Sequence, residues 1–550
     1  MNQDLPAPPD PARGATRALQ IAFVLALVAF AWLRFSGNFV DPDLWGHVLY
    51  GERAWLRGCT EKIDTLSWTA AGHPWINHEI LSEAVMARVH RLGGGPGLWL
   101  LMIGMAVATV GLALREGTIA APPDQKWAAL LLFGASVNVI ATGYSVRPQL
   151  FTMLALVVEI VLLRRMAAGQ IAWALAMPVL FALWTNFHGG FLLGLALLVV
   201  AAVVLAAQAA RLPRLDSFFA ARGARRSPAA FFLAAALAAA GTLANPWGWR
   251  LVAWTAQSIL LPRPDITEWQ PLGLAAIVEQ PALVVVFYIV LAASVLAWGF
   301  TRRPRSAWEA AVLAVLAVIS LQHLRHLPLF GLANLMLTPP HLASAAGRLA
   351  PHCRGLAAVG RRPRLRWLLS GLLGLAAGVA LIASAFPRGR HLFTMDVERG
   401  AFPETATGFM REHGLNGKTI TYFDWGQYVL WELPDNPVSF DGRLDTVYPE
   451  NVMEAHWRLY RGETPGNGLD CNEADAALLQ AEGPAVALLI QAGWKEVYRD
   501  PLASVLVREP ARYPRLHGLR LPVLGDAGAA QGWTAFPSSI PVLATASAPR

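Results

Sequence analysis

Charge is what this chain of 550 residues has least of: 15% of its side chains are charged against 55% hydrophobic. The mean hydropathy is +0.41. A soluble chain carries about a quarter charged residues, so the bilayer is the better solvent for most of this one. Lysine is nearly missing, present at Lys62, Lys126, Lys418 and Lys495 alone, and the formal charge of +8 is almost all arginine. Those arginines fall in short loops between apolar runs rather than on one soluble face, which excludes nucleic acid as a partner. Cysteine is scarce as well. Cys59, Cys353 and Cys471 have no metal-ligand spacing and form no disulfide framework.

Long apolar runs are there in number. A spanning helix needs about 20 mostly apolar residues. Runs of that kind lie near 18–33, 97–114, 127–142, 148–163, 171–185, 191–210, 229–243, 281–300, 310–321, 327–346 and 367–386. They predict a polytopic α-helical membrane protein of about eleven transmembrane helices. The first run follows Arg13 and Arg17 and lacks a small-residue cleavage site, the pattern of a retained anchor. With the N-terminus inside, the inner loops hold Arg164 and Arg165, then five arginines over 211–226, then Arg302, Arg303 and Arg305, then six over 348–366. Every inner loop but the one around Arg115 and Lys126 carries such a cluster, as the positive-inside rule requires.

That orientation divides the chain. Residues 1–17 are expected in the cytoplasm and 18–386 in the membrane, with outer loops at 35–95 and 245–280. Residues 387–513 read as a small extracytoplasmic α/β domain. Strands are expected at 418–423, 437–440, 485–490, 496–499 and 503–507, with a helix at 450–460. From 514 to 550 the chain is rich in Pro, Ala, Gly and Ser and reads as a loosely held tail. The implied location is a bacterial-type cytoplasmic (inner) membrane, multi-pass, with the C-terminal domain outside.

The centres of the runs lack ionisable groups. Glu159 and Glu309 lie toward inner ends, and no inverted repeat is apparent. Ion-coupled transporters place carboxylates or broken helices at the midplane, so a flippase or transporter is the weaker reading. The expensive polar groups gather instead at one depth on the outer side. Asp41-Pro42-Asp43-Leu44-Trp45-Gly46-His47 opens the first outer loop, where two carboxylates one residue apart can share a divalent cation or take a proton. Trp45 suits an interfacial anchor. Asn77, His78 and Glu79 follow in the same loop. Other outer helix ends carry Arg147, then Asn186 and His188, then Arg250, then Glu268, then His323, Arg325 and His326. Each has a bland alternative: Asp41, Asp43 and Asn77 can cap helices, and Arg147 or Arg325 can snorkel to headgroups. The soluble domain adds Asp424-Trp425-Gly426 and Asp441-Gly442-Arg443-Leu444-Asp445 at turns after expected strands. Asp441-Gly442 is also ordinary turn chemistry.

This arrangement resembles the GT-C glycosyltransferases, and within them the catalytic subunit of oligosaccharyltransferase. Asp41-Pro42-Asp43-Leu44-Trp45-Gly46-His47 is similar to that family's F-D-P-W-F-N run. Tyr422-Phe423-Asp424-Trp425-Gly426 and Asp441-Gly442 resemble its W-W-D-Y-G and D-G segments, and Thr267-Glu268 its T-I-x-E element. Two departures stand out. Tyr422-Phe423 replaces the double tryptophan, and Tyr144 to Arg147 stands where the family has a second outer D-x-D. The resemblance implies sugar transfer from a polyprenyl-phosphate-linked donor, its lipid between spans, to an acceptor the sequence does not name. Polymerisation or ligation of a cell-surface polysaccharide shares that donor logic.

The implied roles follow. Asp41, Asp43 and Glu79 are catalytic, with Asp43 or Asp41 as base toward the acceptor. Asp41, Asp43 and Glu268 are ligands for Mg²⁺ or Mn²⁺. Arg147, Arg325 or Arg250 meets the donor phosphate, because a guanidinium fork matches phosphate oxygens. His47, Asn77, His78, Asn186, His188, His323, His326, Asp424, Trp425, Asp441, Arg443 and Asp445 line the substrate site. Asp43 and Asp441, near opposite ends of the chain, are expected to meet across one groove.

Overall fold

The computed structural model describes residues 11–119, 126–210, 228–273, 281–349, 391–526 and 532–541, with scattered positions between 368 and 379. The expected span at 367–386 lies mostly outside the described residues. The arginines at 211–226 and at 354–366 lie outside them altogether.

The chain is mostly helical. In order the first helices are α1 (Pro11–Phe35), α2 (Pro42–Arg57), α3 (Ile80–Ile119), α4 (Trp127–Ala141), α5 (Gln149–Ala167), α6 (Met177–Phe187) and α7 (Phe191–Ala209). Then come α8 (Pro228–Gly241), α9 (Trp249–Ser258), α10 (Pro281–Phe300), α11 (Ala307–Gln322), α12 (Leu327–Leu337) and α13 (Pro339–Leu349). Among the described residues, four helices are long and apolar enough to cross a membrane: Thr16–Phe35, Ile80–Ile119, Phe191–Ala209 and Ala282–Phe300. Four further apolar helices run 10–17 residues. Several of the expected runs form helices shorter than about 20 residues, the length of an upright span.

Two breaks shape these helices. Gly94 interrupts α3 at φ 56° and ψ −146°, just before Pro96. Only glycine takes that conformation without strain, and the break separates a polar arm carrying Glu83 and His90 from the apolar arm beyond. The expected run 327–346 is likewise split at Thr338-Pro339-Pro340 into α12 and α13. Every residue of α12 is buried, which places it at the centre of the helical bundle.

After the bundle comes a small α/β unit. Its elements are β1 (Asp396–Glu398), α14 (Glu404–His413), β2 (Thr419–Thr421), α15 (Gly426–Glu432), α16 (Glu450–Tyr460) and β3 (Ala476–Gln480). They continue as α17 (Pro484–Gln491), β4 (Lys495–Arg499), β5 (Ala503–Val507), β6 (Val523–Leu524) and β7 (Trp533–Ala535). The main sheet has the order β2-β3-β5-β4-β6. The β2/β3 and β4/β6 pairs are parallel, whereas β5 runs antiparallel to both its neighbours.

Two expected strands differ. Residues 485–490 form α17 instead, with Pro484 in its first turn and Ala485, Val486 and Leu489 buried. A six-residue apolar run does not separate helix from strand by periodicity, and the proline settles it here. Val438 makes only isolated bridges, to Ser67 and Thr419. The segment read as a loose tail contributes β6 to the main sheet and pairs β7 antiparallel with β1.

The first loop and this unit are built into one another. Val40 N donates to Asp396 O at 2.9 Å, Trp68 N to Val438 O at 3.0 Å, and Ile76 N to Thr446 O at 3.0 Å. Trp45 is not an interfacial anchor. It is 2% exposed, ringed by Phe402, Tyr428, Trp431 and Phe536 at centroid distances of 4.7–5.5 Å. An apolar ring of that area stabilises more by full burial than at a headgroup boundary. The indole ties α2 to α15.

Candidate active site

Local chemistry at two helix starts creates the site. Asp41 caps α2, its Oδ1 accepting the Asp43 backbone N–H at 3.0 Å, with Pro42 in the first turn. Arg147 sits in the turn that precedes α5. The two meet. Arg147 Nε stands 2.6 Å from Asp41 Oδ1, and Nη2 donates to Asp43 Oδ2 at 2.7 Å. Nη1 donates to Glu268 Oε2 at 3.1 Å. The other Glu268 oxygen lies 3.4 Å from Arg325 Nη1. Trp269 is flanked by two guanidiniums, Arg263 at 4.4 Å and Arg325 at 4.5 Å from its centroid. Arg263 in turn donates to Asp445 Oδ1 at 3.1 Å.

The groove is partly open, with the Asp43 side chain 30% exposed and that of Arg147 19%. Burial pushes the Asp43 carboxyl up, Arg147 pulls it back, and the Asp41 charge raises it again, leaving it at about 6. A carboxyl poised there can accept a proton near neutral pH. Partial burial and the nearby Asp41 charge also raise Asp424, which stands on the same groove. The C-terminal unit closes the far wall. Gln427 Oε1 accepts from Gly46 N at 3.2 Å, and a Cβ at Gly442 would collide with Asp43 Oδ1. Asp43 and the Asp441-Gly442 turn are therefore in contact.

A second cluster lies one turn further along α2. His47 Nδ1 faces Glu83 Oε1 at 3.5 Å and Glu79 Oε2 at 3.9 Å. Asn77 fixes two of these groups: its Oδ1 accepts the Glu79 N–H at 2.8 Å, and its Nδ2 donates to Glu83 Oε2 at 2.6 Å. The remaining Glu79 oxygen faces His78 Nε2 at 3.4 Å and His188 Nε2 at 3.8 Å. Burial works against a charged His47, but Glu83 and Glu79 outweigh it and lift the imidazole to about 9. Burial drives His188 down to about 3, so its ring is neutral.

Other expected residues lie elsewhere. Asp441 and Arg443 are buried in a closed network: Arg443 Nη2 donates to Asp441 Oδ2 at 2.7 Å and Nη1 to Asp64 Oδ1 at 2.6 Å. Tyr448 O–H adds a bond to Asp441 at 2.9 Å. With every lone pair used, these groups join the first loop to the C-terminal unit and present nothing to a substrate. Trp425 is buried and donates to Ala401 O at 3.1 Å. Asn186 donates to Ala182 O and Ala244 O, each at 2.7 Å, latching α6 to the end of α8. Arg250 is exposed on α9 and takes no part in the groove's ion pairs. His323 hydrogen-bonds through Nδ1 with Trp269 O at 2.7 Å, and burial brings the adjacent His326 to about 3.

The Mg²⁺ or Mn²⁺ set of Asp41, Asp43 and Glu268 does not fit. Each of the three carboxylates is spent on a different nitrogen of Arg147, so a guanidinium already occupies the point they share. Among the described residues the group able to converge on one ion is His47, Glu79 and Glu83. Glu83, Arg263 and Gln427 were missed in the sequence. Glu83 had a readable signal, since it follows Glu79 by four residues on one helical face. The other two are placed only by contacts with distant segments.

No protein-family model matches the sequence, and no curated protein matches it. Solved structures do, and the similarity runs over most of the chain. The archaeal oligosaccharyltransferase AglB from Archaeoglobus fulgidus, in complex with an inhibitory peptide and a dolichol-phosphate, is 11% identical over 85% of this chain and 69% of its own, with a TM-score of 0.49. ArnT from Cupriavidus metallidurans bound to undecaprenyl phosphate is 13% identical over 92% of this chain and 99% of its own, with a TM-score of 0.46. Its apo state is 14% identical over 92% and 100%, with a TM-score of 0.47.

Proposed function

We propose that this chain is a GT-C-type membrane glycosyltransferase that moves a sugar from a polyprenyl-phosphate-linked donor to an acceptor at the outer face of a bacterial-type cytoplasmic membrane. In this reading 18–386 forms the membrane part, with the N-terminus inside and 387–513 outside. The observation that carries it is Asp43: a carboxyl at about 6 in a partly open groove, paired with Arg147, whose other partner Glu268 also meets Arg325. A base next to an anion-binding set suits displacement at a sugar–phosphate bond.

The acceptor's nucleophilic atom bonds to the sugar's anomeric carbon as the bond from that carbon to the phosphate oxygen breaks. The electron pair leaves with the phosphate, and the acceptor's proton passes to Asp43. Arg325 makes one long carboxylate contact and keeps donors for the leaving phosphate, with Trp269 holding its plane. Arg147 orients both aspartates, so it takes here the place of the Mg²⁺ or Mn²⁺ the sequence suggested.

Replacing Asp43 by Asn preserves shape and removes the base. Purified D43N should insert normally and transfer at least a hundredfold more slowly from a polyprenyl-phosphate-linked sugar, the usual scale for a general base. Undiminished transfer would sink the assignment. Peptide, lipid and glycan acceptors offered in parallel distinguish simple transfer from polysaccharide ligation.

A further inference from the structure

We infer that His47, Glu79 and Glu83 form a binding site for a divalent cation of the zinc class, separate from the Arg147 groove. The first support is spacing. The ligand atoms stand 3.5 and 3.9 Å apart along the two edges that meet at His47 Nδ1, and all three lie within 4.8 Å of one another. A well-formed N–H···O hydrogen bond holds its atoms at about 2.7–3.2 Å, so the His47–Glu83 contact at 3.5 Å is at the long limit of one and the His47–Glu79 edge at 3.9 Å lies beyond it. Tetrahedral bonds of about 2.0–2.1 Å to zinc put neighbouring ligand atoms about 3.3–3.4 Å apart, close to what is observed. With edges of up to 4.8 Å the cage is wider than a closed site, and the side chains would draw in around the ion.

Ligand type is the second support. One imidazole and two carboxylates are zinc ligands, whereas magnesium takes oxygen and keeps its waters. Three protein ligands leave a fourth position for water or substrate. Metal sites are also recognised by what holds the ligands. Asn77 grips Glu83 at 2.6 Å and the Glu79 backbone at 2.8 Å. On the far side, Trp184 Nε1 donates to Thr152 Oγ1 at 2.8 Å, and that hydroxyl hydrogen-bonds with His188 Nδ1 at 2.9 Å. His188 Nδ1 also accepts the Gly190 N–H at 3.0 Å, so its proton sits on Nε2, the atom that faces Glu79. Four separate segments thus aim the carboxylates at His47. The cation would pin α2 to the start of α3, one helical turn from Asp43.

The site does not depend on the transferase reading, and its test reads metal rather than turnover. Full-length protein is purified in detergent through a tag without histidine, equilibrated with zinc and washed, and its metal content is measured per chain. Wild type and D43N should both hold one zinc. Glu79→Gln and Glu83→Gln should lose it while eluting as the same monodisperse species. Chelation followed by Co²⁺ should give wild type, and not the Gln variants, the intense visible absorption of a tetrahedral nitrogen–oxygen site. Wild type holding far less than one ion per chain, with no cobalt band, would show that a proton on His47 alone satisfies the cluster, and would overturn the proposal. So would Gln variants that retain full zinc. Zinc bound normally by a chain with no transfer activity would count against the proposed function and leave this site standing.

Discussion

Replacing Arg147 by Gln should move the acid limb of transfer toward higher pH. Arg147 Nη2 lies 2.7 Å from Asp43 Oδ2, and its charge is the largest influence holding that carboxyl down against burial. Two unit charges about 4 Å apart at an effective dielectric of about 20 interact by about 4 kcal/mol, or about 3 pKa units. That is an upper limit. The Asp43 side chain is 30% exposed, and the same guanidinium also serves Asp41 and Glu268, so about one unit is the reasonable expectation. Asp43 acts as a base only when ionised, so activity is lost as pH falls through its pKa, at about 6 in the native chain. Raised by about one unit, the carboxyl is about one-quarter ionised at pH 6.5 instead of about three-quarters, a threefold loss that vanishes near pH 8.5. The assay is the turnover rate at saturating donor across pH, which separates this effect from weaker donor binding. Asp41→Asn provides the opposite sign, because removing the like charge beside Asp43 should shift the limb to lower pH. An R147Q enzyme that transfers with an unmoved limb, or two variants shifting the same way, would refute the coupling.

Arg443→Met strands two buried carboxylates, Asp441 and Asp64, each at or near zero exposure. Breaking such a network should destabilise the docked C-terminal unit by about 3–5 kcal/mol, visible as a lower melting temperature of the detergent-solubilised chain. An unchanged transition would mean that backbone bridges alone hold the first loop in place. Arg325→Ala removes one long ion pair and a stacking contact at a partly exposed site, so stability should hardly move. The KM for the lipid-linked donor should rise about tenfold, the scale of a lost charge-assisted hydrogen bond. A normal KM would remove Arg325 from the phosphate site.

Much of the site was legible because chain connectivity forces polar residues in a membrane protein to the ends of apolar runs. Asp41, Asp43, Glu79, Arg147, Glu268 and Arg325 could all be named, since each flanks an apolar stretch at the same side. What each one binds could not be. Arg147 looked like a donor-phosphate ligand, yet its three nitrogens are committed to carboxylates 104, 106 and 121 positions away in sequence. Nothing local in Tyr144 to Arg147 encodes those partners. The same holds for Trp45, whose flanking sequence suits an interface but whose ring is claimed by Phe402 and Phe536 from the other end of the chain.

The cation question shows why partners decide more than residue type does. A D-x-D pair reads as a metal ligand set wherever nothing positive is known to stand beside it. Here α5 begins with an arginine in its lead-in turn, and that guanidinium takes up the aspartates. Among the described residues the nearby carboxylates that no arginine pairs with are Glu79 and Glu83, and they converge on the His47 imidazole at 3.9 and 3.5 Å. Arg147 thus separates two jobs that one metal could have combined. It leaves Asp43 near neutrality as a base, and it leaves the His47 cluster as the place where a cation has ligands to spare. On that division Arg147→Gln should alter the pH profile without changing zinc content, and Glu83→Gln should remove zinc while Arg147 still holds both aspartates.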